Sequence, residues 1–350
     1  MRALVMKRAG GPEVLEVQEG PELTPAIGEV RVRVARAGLN FTDLAARVGL
    51  YPDAPPFPLV SGYEVSGTVD ALGPDTPGFA VGDQVVAMTR FGGQASQVVV
   101  PVAQVRRIPA GVSLDEAAAI PVNYLTAYHL LFHLAPLQPG MTVLIHMAAG
   151  GVGLAALQLC RTVPGVKVFG TASVGKHDFL RSRGLDHPLD SRRVDYPQVV
   201  RSLTHGRGVH RVLDPLGGPD WARGAALLRP GGHLLCYGWA NMISGQRLNP
   251  FTVAAQFLRM KRFSPLELMD HNRSVSGTNM GRLWSELELL GRHFDALMEL
   301  AREGVVKPHV DSVYPLARAA EAHAHLQGRR SLGKVLLDCE AAPKGSLTPA

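Results

Sequence analysis

The sequence predicts an α/β protein of two domains, one a mostly antiparallel β domain and the other a doubly wound parallel sheet with helices on both faces. Three observations lead there. In the first hundred residues Val30, Val32 and Val34 alternate with Arg31, Arg33 and Ala35, the period of two that marks half-buried strands. From residue 141 onward short apolar strands alternate with helical segments, the order that builds right-handed parallel βαβ units. The length of 350 residues accommodates two domains at ~100–200 residues each. Hydrophobic residues make up 46% and charged residues 19%, the latter below the usual ~25%, so there is apolar material for two cores and wholesale disorder is excluded.

In the N-terminal part, strand runs are read at 13–18, 30–34, 64–72, 83–88 and 94–100. Turn clusters such as Gly73-Pro74-Asp75 and Gly78 separate them, and a short helix falls at 41–48. This reads as a compact antiparallel sheet or partly open barrel. Ser113, three residues before Glu116, forms a capping box, and helical spacing continues to residue 134. Strands at 142–147, 167–171, 209–213 and 233–237 then alternate with helices at 152–162, 176–183 and 222–228. The runs 305–313 and 333–338 read as isolated strands that return to the first domain. No repeat at a solenoid period is present.

Lys plus Arg (36) exceed Asp plus Glu (30), for a formal net charge of +6. That balance raises the question of nucleic acid, but the basic residues are scattered, with pairs such as Arg106-Arg107, Arg192-Arg193, Lys261-Arg262 and Arg329-Arg330. Neither a long basic tail nor an aromatic-studded basic groove is present, so neither nucleic acid nor membrane is the expected partner. The odd, widely spaced Cys160, Cys236 and Cys339 point to a reduced, cytoplasmic compartment and against structural zinc. The first ten residues lack the pattern of a signal peptide. The stretch 117–160 carries no Asp, Glu, Lys or Arg, yet Pro121, Pro136, Pro139 and Gly140 cut it into pieces shorter than the ~20 apolar residues that span a bilayer.

The motif richest in chemistry is a strand running into Ala148-Ala149-Gly150-Gly151-Val152-Gly153 and then a helix. Glycines let backbone approach a pyrophosphate, and a helix start aims unpaired N–H groups and a positive dipole end at it. The first glycine of the usual pattern is Ala148, so it is the strand before and the helix after that make dinucleotide binding the reading. A site for NAD normally has Asp or Glu about twenty residues further on. Here the next strand leads through Thr171 and Ser173 to Lys176, one of only seven lysines. Hydroxyls and an ammonium suit a 2′-phosphate, so NADPH is expected over NADH; the alternative is that Lys176 solvates a helix start.

The order of a strand-rich N-terminal domain, Asn40-Phe41-Thr42-Asp43, Gly49-Leu50-Tyr51-Pro52, Gly62-Tyr63-Glu64, the glycine turn 148–153 and Gly333-Lys334-Val335-Leu336-Leu337 resembles the medium-chain dehydrogenase/reductase superfamily. Within it the chain is most similar to the zinc-free, zeta-crystallin-like quinone oxidoreductase branch. The stretches 146–153, 169–173, 214–218 and 307–313 look especially like its synaptic-vesicle membrane protein subgroup. The resemblance covers nearly the whole chain. It implies a GroES-like substrate domain (residues 1–120 and 300–340), a Rossmann NADPH-binding domain (121–299), a disordered tail (341–350), a cleft holding nicotinamide and substrate, and a homodimer.

Asn40 stands where zinc alcohol dehydrogenases of this superfamily place a Cys ligand, Tyr63 where they place His, and the four-cysteine lobe is missing. No metal is therefore expected. Hydride donation to an electron-poor quinone or enone needs positioning and oxyanion stabilisation rather than a Lewis acid. The resemblance places Asn40, Tyr51 and Thr126 around the nicotinamide and substrate carbonyl as catalytic residues. Each has a plainer alternative: Asn40 as a helix cap, Tyr51 as a packed turn aromatic, Thr126 as a helix hydroxyl bonded to backbone. Cofactor contacts are expected at Ala149, Gly150, Gly151, Val152, Thr171, Ser173, Lys176, Pro215, Leu216, Tyr237 and Gly238. Lys334 is a further phosphate-side candidate, with an exposed strand lysine as its alternative. Where related quinone reductases add a tyrosine against the 2′-phosphate, Asp190 is followed by Ser191.

His129 and His133 stand four apart on an apolar helix without a third ligand, His323 and His325 cannot share a helix face, and no G-x-S-x-G elbow supports hydrolysis. The basic-apolar stretch 246–262, with Phe251, Phe257 and Leu258, reads as an internal or dimer contact, with lipid docking as the alternative. The leading function is an NADPH-dependent, zinc-independent reductase of quinones or α,β-unsaturated carbonyls. The alternatives are an enoyl-thioester reductase and, outside enzymes, an NADPH-binding protein of lipid or vesicle surfaces or of RNA.

Overall fold

The computed structural model of the chain describes residues 1–190, 192–243 and 245–341. Apart from Ala341, the expected tail lies outside these residues, as does Ser191. Two compact units are present: Met1–Val122 with Gln246–Leu248 and the chain from Ser285 onward, and Asn123–Gly245 with Asn249–Trp284.

The first unit carries strands β1 (Arg2–Met6), β2 (Leu15–Glu19), β3 (Glu29–Leu39), β4 (Leu59–Val60), β5 (Glu64–Leu72), β6 (Gln84–Met88), β7 (Gln97–Pro101) and β8 (Val105–Arg107). A small sheet runs β2-β1-β4. The larger one is completed by two strands from the far end of the chain, Val310–Pro315 and Lys334–Asp338, and β7 pairs with β3 from outside its path. All pairings in this unit are antiparallel except that between the two C-terminal strands. The alternation read from the sequence places Val30, Val32 and Val34 inward, each fully buried with Val65, Val69, Val85, Val335 and Leu337. Each such side chain contributes roughly 1.5–3 kcal/mol. Lys334–Asp338 lies antiparallel to β3, with Leu336 opposite Gly38 and Val335 opposite Leu39. This register sets Lys334, almost three hundred residues on, beside the helix start at Asn40.

The second unit holds β9 (Thr142–Ile145), β10 (Lys167–Thr171), β11 (His187–Leu189), β12 (Val209–Asp214), β13 (Leu228–Cys236) and β14 (Ser274–Gly277). With β15 and β16 assigned to Val310–Pro315 and Lys334–Asp338, the first unit's larger sheet reads β15-β16-β3-β5-β6-β8. The second unit's sheet runs β11-β10-β9-β12-β13-β14, and every pairing is parallel. That is the doubly wound order that binds dinucleotides at the carboxyl ends of its strands. Leu144, Phe169, Val212 and Leu234 form its core.

The expected fold class is present, with local differences. The helical run from Ser113 breaks into Leu114–Ala118, Pro121–Tyr128 and a wider π turn, His129–Leu134. Pro121 lacks an N–H and disfavours helical backbone at the residue before it. The capping box forms: Glu116 N–H donates to Ser113 Oγ at 3.2 Å and Ser113 N–H to Glu116 Oε2 at 3.0 Å. Strands β1, β4, β8, β11 and β14 were not read from the sequence, being short or without clean alternation. The first unit resumes at Ser285 rather than 300 because the helix Leu287–Arg302 packs there, with the Arg106 guanidinium over the buried Phe294 ring at 5.5 Å.

Candidate functional site

In the second unit, β9 ends at Ile145 and the chain turns at Met147 with φ +52°. It enters the helix Gly151–Cys160 through Gly150, with no side chain capping the first turn. The turn needs its glycines. A Cβ on Gly153 would strike the Met147 carbonyl and the Ala148 backbone, and one on Gly151 would strike the Asn123 amide. The helix start thus presents N–H groups and a positive dipole end from backbone alone, with Ala149, Gly150, Gly151 and Val152 in this turn.

Thr171, at the end of β10, is buried. Its Oγ1 accepts from the Met147 N–H at 3.2 Å and lies 3.2 Å from His146 Nδ1. Its hydroxyl therefore ties two strand ends together. Ser173 and Lys176 follow in a short turn, with the Lys176 N–H on the Ser173 carbonyl at 2.9 Å, and a Cβ on Gly175 would meet no described residue beyond its chain neighbours within 4 Å.

At the end of β12, Asp214 Oδ1 accepts from the N–H groups of Leu216 (2.6 Å) and Gly217 (3.1 Å), while the buried Oδ2 has no hydrogen-bond partner among the described residues. Burial pushes the carboxyl up to about 7 against those two amides. The loop so formed carries Pro215 and Leu216. Its carbonyls accept from Ala240 and Asn241 at 2.8 and 3.0 Å, and Gly238 lies so close that a Cβ would come within 2.8 Å of the Pro215 carbonyl. Tyr237 follows β13, its N–H on the Asp214 carbonyl at 3.0 Å. Thr126 is buried on Pro121–Tyr128.

The first unit holds a second constellation. Asn40 Nδ2 donates to Glu64 Oε1 at 2.8 Å, and Asn40 Oδ1 accepts from Lys334 Nζ at 2.7 Å. Lys334 pairs directly with Glu64, and both are buried, at 3% and 0% side-chain exposure. Glu64 Oε2 accepts from the Val122 N–H at 2.7 Å. Gly38 makes room for this carboxylate, since a Cβ there would meet Glu64 Cγ and Cδ at 2.6 Å. The first turn of the helix Phe41–Arg47 is closed by Asp43, which accepts from the Asn40 N–H at 2.7 Å, the Gly62 N–H at 3.1 Å and the Ser61 hydroxyl. Burial nonetheless pushes Asp43 up to about 6. Nearby, Tyr51, Tyr63 and Phe91 cluster with ring centroids 5.1–6.3 Å apart.

One alternative is corrected. Asn40 stands at the N-cap of a capping box with Asp43, as its plainer reading had it, and its side chain also meets Glu64 and Lys334. Lys334 is not an exposed strand lysine, and its ammonium is engaged by a carboxylate rather than presented to solvent. Glu64, Asp43 and His146 were missed as site residues. Glu64 and Asp43 stood inside quoted motifs; for Glu64 an acid in a run of buried strand residues, and for Asp43 an acid three residues after an Asn helix start, were the signals available. Among the described residues no three His, Cys, Asp or Glu side chains converge as a metal set, and no helix is long and apolar enough to cross a membrane.

Family models match over residues 26–110, as an alcohol dehydrogenase GroES-like domain, and 183–337, as a zinc-binding dehydrogenase. The synaptic vesicle membrane protein VAT-1 homolog of Danio rerio is 46% identical over 343 residues, 97% of this chain and 70% of that protein. The human VAT-1 homolog-like crystal structure superposes with a TM-score of 0.85 at 36% identity, covering 98% of this chain and 99% of the other. Escherichia coli quinone oxidoreductase complexed with NADPH gives 0.85 at 28%, covering 97% and 100%. The CurK enoyl reductase gives 0.83 at 29%, covering 96% and 98%. The near full-length matches, joined to the doubly wound sheet and to Asn40 and Tyr63 at the former ligand positions, establish that the chain belongs to the medium-chain dehydrogenase/reductase superfamily, in its zinc-independent quinone oxidoreductase and VAT-1-like branch.

Proposed function

We propose that the chain binds NADPH on its second unit and, without zinc, directs hydride to the electron-poor carbon of a conjugated carbonyl. The single observation that carries this is the uncapped helix start at Gly150–Gly151, built on a glycine turn at the carboxyl end of the central strand β9. The donor set fits the cofactor: backbone amides of residues 149–152 for the pyrophosphate, Ser173 and Lys176 for the 2′-phosphate, and the loops of Pro215-Leu216 and Tyr237-Gly238 for the nicotinamide half. Bound there, the dinucleotide would supply the hydride. The protein's own part is to orient the acceptor and stabilise the developing oxyanion, which we assign to Asn40, Tyr51 and Thr126.

The relatives weigh on the acceptor. The enoyl reductase likeness supports an enoyl thioester beside the quinone and enone, because all three accept hydride at a carbon conjugated to a carbonyl. A second reading, an NADPH-binding protein that works at a vesicle surface, draws support from the VAT-1 homologs. It also draws on the helix Pro250–Leu258, where Phe251 and Leu258 are each 87% exposed; the internal contact expected for that stretch is absent from these two side chains.

The deciding test is oxidation of NADPH against NADH over a panel of quinones, enones and enoyl thioesters, with fluorescence titration of cofactor and co-sedimentation with anionic liposomes in parallel. Turnover with NADPH preferred is the expected result. Tight NADPH binding with liposome association and no turnover on any acceptor would replace the reductase by the second reading.

A further inference from the structure

Lys334, Glu64 and Asn40 come from three distant parts of the chain, the start of β16, the start of β5 and the residue after β3, and meet in a buried knot of the first unit. A lone charge in such a place is costly, and a buried pair holds only when its remaining hydrogen-bonding capacity is met. Here Asn40 and the Val122 N–H supply partners beyond the pair itself. The chemistry also settles which way the Asn40 amide faces. An ammonium only donates and a carboxylate only accepts, so Oδ1 must face Lys334 and Nδ2 must face Glu64. The reverse orientation would set two donors and two acceptors against each other. One Nδ2 hydrogen is used by Glu64, and the other has no partner among the described residues.

We infer that Lys334 and Glu64 are positioning residues that lock the Asn40 carboxamide in one orientation, leaving its second Nδ2 hydrogen for the carbonyl oxygen of the acceptor. This rests on the reductase reading for the identity of the acceptor, but the lock itself does not. A side-chain amide with both faces undirected flips and offers oxygen as readily as nitrogen. With an ammonium on one side and a carboxylate on the other, it can offer only a donor, which is what an oxyanion developing on a reduced quinone or enone requires. Lys334 on this account serves Asn40 and has no part in recognising the 2′-phosphate.

Removing one charge alone leaves the other buried and unpaired, so the informative variant removes both: Lys334→Met with Glu64→Gln, compared with Asn40→Ala and with the triple variant. Two measurements are made on the full chain. The first is the Asn40 side-chain NH2 resonance pair, assigned by its loss in Asn40→Ala. In the wild type it should be a single set, protected from solvent exchange at least tenfold over a free carboxamide, and in the double variant that protection should vanish. An Asn40 amide equally protected in the double variant overturns the inference, whatever the protein turns over. The second is NADPH-dependent reduction of a quinone or enone. The double variant should lose at least tenfold in kcat, with KM for NADPH and the NADPH to NADH preference within twofold of wild type, and should add nothing to Asn40→Ala in the triple variant. Losses that multiply in the triple variant, or a shift in cofactor preference, would overturn it. Should no acceptor be reduced by the wild type, the reductase reading fails, and the resonance measurement decides the lock alone.

Discussion

The hydroxyl of Thr171 stands 3.2 Å from His146 Nδ1, across the ends of β10 and β9. Thr171 Oγ1 also accepts the Met147 N–H, so one hydroxyl meets both the backbone and the imidazole, and full burial favours the neutral ring. Thr171 was expected among the cofactor contacts. Its side chain also fastens the residue that opens the glycine turn, Met147, which is held at φ +52°.

Thr171→Val keeps the shape and deletes the hydroxyl, leaving the Met147 N–H and His146 Nδ1 unmet. The expected loss is about 1–3 kcal/mol of unfolding free energy, with Thr171→Ser close to wild type. Urea unfolding of the three proteins checks this, and a valine variant as stable as the parent would remove the tie from the account.

His146 also sets a pH dependence. Full burial, aided by the nearby Arg223, holds its imidazole down to about 4 from an ordinary 6.5, with Asp220 opposing. Below pH 6.5 the unfolded chain takes up a proton that the folded chain refuses until about pH 4. The stabilisation is complete above 6.5 and is lost as pH falls through about 4. At about 1.4 kcal/mol per unit, wild type should lose roughly 2–3 kcal/mol more than His146→Gln between pH 7.5 and 4.5, measured by urea unfolding at both. Parallel losses would show that His146 protonates freely in the folded state.

The doubly wound sheet was legible because each of its central strands is a short apolar run closed by a turn, and because the glycine turn falls between a strand and a helix. The knot of Asn40, Glu64 and Lys334 was not legible as a unit. Its members lie far apart in sequence, and the registers of β16 on β3, with Leu336 opposite Gly38, and of β5 on β3, with Val65 opposite Ala37, bring them together. Periodicity tells which face a residue occupies but not which strand lies beside it. Hence Lys334 was read as an exposed or phosphate-side lysine, and Glu64 as part of a motif without a role. His146 was hidden for a related reason: the hydroxyl it meets lies on a neighbouring strand.

Lys176 is the residue on which cofactor choice is proposed to rest. A charge-assisted bond to a phosphate contributes about 1.5–3 kcal/mol, so Lys176→Ala should weaken NADPH binding about tenfold to a hundredfold and leave NADH within about twofold. Fluorescence titration with both dinucleotides reads the difference. Equal weakening of the two would assign Lys176 to the turn it sits in, Val174–Lys176, and return the preference to other residues.

The last prediction concerns the exposed apolar face of the second unit. Phe251 and Leu258 lie seven residues apart on one side of the helix Pro250–Leu258, each 87% exposed, and Leu266 and Met269 are 77% and 71% exposed. Large apolar side chains exposed along one helix mark a surface that works against something. The same unit ends its sheet on β14, which pairs only with β13 among the described residues, and an open strand edge and exposed apolar side chains each suit a second copy of the chain. Since these side chains bury little within the chain, Phe251→Ser with Leu258→Ser should leave the melting temperature of the monomeric unit and the affinity for NADPH nearly unchanged. It should convert a dimer to a monomer by light scattering at micromolar concentration. If the wild type is itself monomeric and the double substitution instead abolishes its sedimentation with anionic liposomes, the face belongs to a membrane surface, and the vesicle reading gains what the dimer loses.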